Sequence, residues 1–134
     1  MTEYTTAANA IIERVLDSGQ EWPTTKDLRR IAATHGINPD GDFEMTVIPN
    51  VIIEAYISEE FCELLKETQR IGKGRITPFP MTMIDVLVRE ESMLSLPMPD
   101  NDLPQEGYPD DDPHWQPMYW IPVTTMERLM RERQ

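Results

Sequence analysis

Residues 97–122 hold seven of the chain's 12 prolines, six carboxylates and neither lysine nor arginine. Proline lacks an amide donor and fixes φ, so neither a helix nor a central strand can run through such a stretch. The segment reads as an extended, locally polyproline-like arm. It divides the 134 residues into a helical globular domain over 1–96, the arm over 97–122 and a short helix over 123–134. A chain of this length buries about two-thirds of its unfolded surface, enough for one core. Hydrophobic residues at 40% and charged residues at 27% suit a globular chain rather than a disordered one.

The formal net charge is −12, from 24 acids and 12 bases, and the arm supplies half of it. An excess of carboxylates opposes direct binding to nucleic acid or to an anionic membrane, both of which need a cationic surface. Cys62 is the single cysteine, so no internal disulfide and no multi-cysteine metal site is expected. No apolar run approaches the roughly 20 residues of a membrane span. Met1-Thr2-Glu3-Tyr4 has neither the basic start nor the apolar stretch of a signal peptide. A cytoplasmic protein is the expectation.

Apolar period and capping residues mark the helices. Ala8, Ile11, Ile12, Val15 and Leu16 make one helical stripe within residues 7–18, and Gly19 follows as a stop. Thr24 with Asp27 forms a capping box for a helix over 25–35, with Leu28, Ile31 and Ala32 inward and Gly36 beyond its end. Trp22 is expected to cover the first helix. Ser58 caps a helix over 59–71 that carries Phe61, Leu64, Leu65 and Thr68 on its inner face. Thr82 with Asp85 opens a helix over 83–95 with Ile84, Leu87, Val88 and Leu94 on one face. Thr124 and Glu127 cap a last helix over 124–132. Between them, Phe43, Met45 and Val47 alternate with polar residues, and β-branched residues 51–57 return, which favours a hairpin over 43–57. A helix over 50–57 is the rival reading. Pro78 and Pro80 bracket a loop. The sum is a mainly α domain of about five helices with at most one small sheet, α+β being the alternative.

No arrangement of residues announces catalysis, and no catalytic residue, cofactor or metal is assigned. Cys62 lies beside an apolar stripe, where a thiol is usually inert. Gly72-Lys73-Gly74-Arg75 lacks the lysine-serine/threonine ending of a phosphate-binding loop. A DNA-reading helix pair would need a basic recognition helix after residue 36, where the chain is proline-broken and acidic; Arg29 and Arg30 are assigned to a solvated face. Asn38-x-Asp40-x-Asp42 lacks the glycine and glutamate of a calcium loop. Consecutive aspartates in an extended segment diverge, which weakens a metal-binding or metal-enzyme reading built on His114 and Asp110–Asp112.

The aromatic cluster is the strongest signal. Tyr108, Trp115, Tyr119 and Trp120 fall within thirteen residues of the proline-rich segment. Ordered aromatics of this size must be buried, either in the chain's own core or against another subunit or protein. Interface burial is favoured, because extended arms reach beyond their domain. The resulting expectation is a non-enzymatic acidic interaction protein: an accessory subunit, adaptor or inhibitor. Its contact residues would be Tyr108, Trp115, Tyr119 and Trp120 in the arm, with Glu59, Glu60, Asp110, Asp111 and Asp112 facing a basic protein partner. Self-association through the arm is a further expectation. The alternative, mimicry of DNA to inhibit a nucleic-acid-binding protein, suits the charge, but Lys66, Arg70, Lys73 and Arg75 interrupt the carboxylate surface it requires.

Overall fold

The computed structural model describes residues 3–89, 98, 107, 108, 111 and 113–132. In chain order it contains α1 (Glu3–Leu16), α2 (Thr25–Thr34), β1 (Asp40–Ile48), β2 (Val51–Ile57), α3 (Glu59–Ile71), β3 (Ile76–Pro80), α4 (Met83–Arg89), β4 (His114–Trp115), β5 (Met118–Pro122) and α5 (Val123–Glu132). Capping chemistry sets several starts. The Thr24 hydroxyl accepts from the Asp27 N–H at 3.4 Å, while the Asp27 carboxylate accepts from the Thr24 N–H at 2.9 Å. Thr82 and Asp85 repeat the exchange at the head of α4. Ser58 accepts from the Phe61 N–H at 3.0 Å to start α3. The last helix departs from expectation, since it begins at Val123 and places Thr124 inside it.

Two sheets make this an α+β fold rather than the mainly α domain read from the sequence. β1 and β2 form the expected antiparallel hairpin, and β4 adds to β2 in parallel. A second sheet pairs β3 with β5, antiparallel from Ile76–Pro122 to Pro80–Met118. Both β3 and β5 were read as proline-broken loop or arm. In a two-stranded sheet every strand is an edge, so Pro78, Pro80 and Pro122 can direct their donor-less nitrogens away from the ladder. β4 is likewise an edge, whereas the central β2 holds no proline. The proline rule is obeyed; the inference from it to a detached arm is not. Residues 90–95 of the expected 83–95 helix lie outside the described residues, as do 97, 99–106, 109, 110 and 112 of the arm.

Among the described residues two clusters make up the core. The first gathers Ala7, Ala8, Ile11, Ile12 and Val15 of α1, Leu28 and Ala32 of α2, and Phe61, Leu64 and Leu65 of α3, together with Ile37, Ile57, Ile76 and Trp120. The second comprises Phe79, Met81, Val86, Trp115, Tyr119 and Ile121, with Trp22, Met98, Met126 and Leu129 against it. Side chains alternate across a strand, so β5 sends Trp120 into the first cluster and Tyr119 and Ile121 into the second. Trp22 belongs to the second cluster rather than covering α1; its ring meets Tyr119 edge-on at 5.4 Å. On α4 the expected stripe is inverted: Val86 is fully buried, whereas Ile84 and Val88 face solvent.

The arm is stitched to the body through its backbone. His114 and Gln116 donate their N–H groups to Asn50 and Ile52, Met81 donates to Pro117, and Trp120 donates to Pro23. The buried Gln116 amide donates to the carbonyls of Met81 at 3.0 Å and Pro117 at 2.8 Å. Farther back, Gly107 has φ of 76°, and a Cβ there would lie 2.2 Å from the Pro49 carbonyl oxygen. Gly107→Ala therefore combines a disfavoured conformation with a collision, and is expected to cost about 1–3 kcal/mol. Urea denaturation checks it; an unchanged midpoint would contradict this contact.

Candidate functional site

Glu54 is the one acid in the apolar run of β2, and its side chain is buried. A buried carboxylate needs a partner, and α2 supplies two. Lys26 and Arg29, three apart and so on one helical face, approach it at 3.6 Å and 3.5 Å. Arg29 does more than neutralise charge. Its guanidinium donates to the carbonyls of Ala55 at 3.2 Å and Tyr56 at 3.0 Å, and binds the Asp40 carboxylate. It is thus a half-buried rivet joining α2, β1 and β2, not the residue of a solvated face expected from sequence. Arg30 is exposed as expected and pairs with Asp27.

The rivet holds an irregular part of the hairpin. Phe43 pairs with Ile57 and Met45 with Glu54, so β2 contains one residue more than β1 over this stretch. Such a bulge bends its strand and re-aims a side chain. Tyr56 takes the left-handed conformation there, with φ of 56° and 70% of its surface exposed. That region is disfavoured for a bulky residue by about 1–3 kcal/mol. Phe43 on β1 is 53% exposed. Asp42 and Glu44 flank it, both exposed.

The open end of the hairpin is tied to α3. Ser58 donates its N–H to the Pro39 carbonyl at 2.9 Å and its hydroxyl to the Asn38 carbonyl at 2.6 Å, while also capping α3. Glu59 and Glu60 follow directly and are exposed. Their carboxylates sit in the first turn, where the helix dipole favours negative charge. Farther along α3, Glu63 pairs with Lys66 and Glu67 with Arg70. The Arg70 hydrogen bond is the main reason the Glu67 carboxyl sits below the usual range. The acidic row that DNA mimicry would use is broken there.

The arm's aromatics are placed differently from the contact surface expected of them. Trp115 is 1% and Trp120 0% exposed, and Tyr119 is buried, all within this chain. The Trp120 indole N–H donates to the Thr25 hydroxyl at 3.0 Å. Burial, with the Asp85 carboxylate nearby, raises the Tyr119 phenol above its ordinary range. Tyr108 is half-buried and stacks on His114 with ring centres 3.5 Å apart; its N–H donates to Pro49, and its carbonyl accepts from the Asn50 amide at 2.9 Å. Asp111 is exposed, whereas Asp110 and Asp112 lie outside the described residues. Among the described residues no group of three or more His, Cys, Asp or Glu is arranged to hold a metal ion. Burial is also the main cause raising the Cys62 thiol, with Glu63 and Glu59 adding to it against Lys66. The neutral thiol predominates at pH 7, and it is a poor nucleophile.

No protein family, curated protein or solved structure matches this chain. No helix among the described residues is long and apolar enough to cross a membrane. Exposed aromatics, carboxylates and backbone strain occur together along the hairpin strands, at Asp42, Phe43, Glu44 and Tyr56, and Glu59 and Glu60 follow at the head of α3. Sequence reasoning named only the last two. In sequence Phe43 and Tyr56 read as ordinary strand residues, although an aromatic between two acids at Asp42-Phe43-Glu44 is a visible sign of an exposed position.

Proposed function

We propose that this is a non-enzymatic interaction protein, acting as an accessory subunit, adaptor or inhibitor, and that it binds a basic protein partner through the hairpin face. The observation that carries the reading is Tyr56, a large aromatic exposed on strained backbone and held there by Arg29. Strain that persists in a surface residue points to function. Aromatics with an apolar body and a polar tip are the commonest anchors of protein interfaces. The neighbouring carboxylates suit a cationic partner and would speed its approach. The arm then serves the body: its tryptophans fill the core, and its contact role passes to the hairpin.

The reading is tested by capture from native lysate on the immobilised full chain, with three variants beside it. Wild type is expected to retain a basic protein that elutes as salt rises past physiological strength, where the screening length falls below about 8 Å. Phe43→Ala with Tyr56→Ala, and Asp42→Lys with Glu44→Lys, are each expected to lose it. Tyr56→Asn separates binding from folding, because asparagine tolerates the left-handed conformation. It is expected to keep or raise the melting temperature while weakening capture. Equal capture by all variants would overturn the assignment of this face.

A further inference from the structure

Among the described residues β1 has β2 on one side and no strand on the other. Asp40 to Glu44 and Thr46 are all exposed. An exposed strand edge offers a row of N–H and C=O groups to any chain that can pair with it. Between Phe43 and Thr46 the extra residues of the pairing fall on β2, whereas from Asp40 to Phe43 and from Thr46 to Ile48 they fall on β1, so 43–46 is the regular part of β1. That stretch is long enough to template a short pairing. Charge decides what may add. A second copy laid antiparallel on β1 would bring Asp42 and Glu44 near their own counterparts, and like charges across a ladder destabilise it. A strand with lysine or arginine at alternate positions meets opposite charge instead. The same carboxylates that discourage self-pairing therefore select the partner.

We infer that the outer edge of β1 receives an extended, basic segment of another protein by strand addition, a mode in which backbone hydrogen bonds supply affinity and alternate side chains supply specificity. This rests on the reading of the hairpin as the contact face, and states how that face is used. Phe43 is placed to pack against an apolar residue of the added strand, and Asp42 and Glu44 to pair with its cations.

The test uses the isotope-labelled full chain and four eight-residue peptides. One alternates lysine and threonine, one alternates glutamate and threonine, and two are lysine–threonine peptides N-methylated at every second amide, on one edge or on the other. The lysine peptide is expected to slow hydrogen exchange at β1 amides between residues 43 and 46, and the glutamate peptide to leave them unchanged. N-methylation of the pairing edge is expected to weaken binding at least tenfold at unchanged charge. Asp42→Lys with Glu44→Lys is expected to reverse the preference between lysine and glutamate peptides. If both methylated peptides bind as well as the parent, strand addition is wrong while the acidic-face reading stands. Failure of every peptide to protect β1 overturns strand addition, and lysate capture then tests the face by itself. Protection of β1 that rises with protein concentration without peptide would assign the edge to a second copy and overturn the inference.

Discussion

Trp120→Ala is expected to lower the melting temperature by the same amount at every protein concentration. The indole is fully buried in the first core cluster and donates to Thr25. Its loss leaves a cavity between three helices and β3 and frees a buried hydroxyl partner. A change of this kind costs about 3–5 kcal/mol, a large part of the stability of a small domain. Thermal or urea denaturation across a concentration series checks it. An interface anchor would behave otherwise: its removal would weaken association, and the melting temperature would depend on concentration. Trp120→Phe separates volume from hydrogen bonding. It keeps much of the packing and is expected to recover more than half of the loss.

Arg29→Met should be comparably damaging, although Arg29 is only half-buried. It leaves the Glu54 carboxylate buried with Lys26 alone, and the carbonyls of Ala55 and Tyr56 lose a shared donor. Removing one member of a buried ion pair costs about 3–5 kcal/mol, because the remaining charge is uncompensated. Part of the guanidinium reaches solvent, so the lower end of that range is expected here. Adding Glu54→Leu should restore much of the loss, since an apolar pair of similar size often replaces a buried ion pair at little cost. Urea denaturation of the two single variants and the double variant gives the coupling directly. Additive losses would show that Arg29 and Glu54 do not act as a unit. The double variant still lacks the donor to Tyr56, so the bulge should stay loosened and partner capture reduced even where stability returns.

The parts legible in the sequence were those whose signals are local. Capping residues and apolar stripes placed α1, α2 and α3 to within a few residues, and β-branched content with turn chemistry gave the hairpin. What escaped notice depends on partners distant in the chain. β3 and β5 each look unfit for a sheet because of their prolines, and only their pairing with one another shows that the ladder avoids those nitrogens. Ile84 and Val88 followed a good helical period but lie on the outer face of α4, since period gives a stripe without saying which side meets the core. Arg29 reads as surface charge in the sequence because its partner Glu54 is distant and its burial is not marked locally. A lone acid in the run Val51-Ile52-Ile53-Glu54 was a usable clue: a carboxylate inside a buried strand must find a cation, and Lys26 and Arg29 stood on one helix face. For the contact surface, the aromatic count led to the arm because aromatics serve cores and interfaces alike. Composition does not separate the two uses; the burial of Trp115, Tyr119 and Trp120 within this chain does.

The Trp120–Thr25 bond joins residues 95 apart in sequence. On a ribosome, α1, α2 and α3 emerge long before β5, and until then the space that Trp120 fills between them is unoccupied. Closing so long a loop is entropically costly, and contacts of high sequence separation slow folding. Until residues 118–122 are made, nothing can fill the place that the indole takes among the residues of α1, α2 and α3. One late-made strand thus acts as a clasp, giving Trp120 to one half of the interior and Tyr119 and Ile121 to the other.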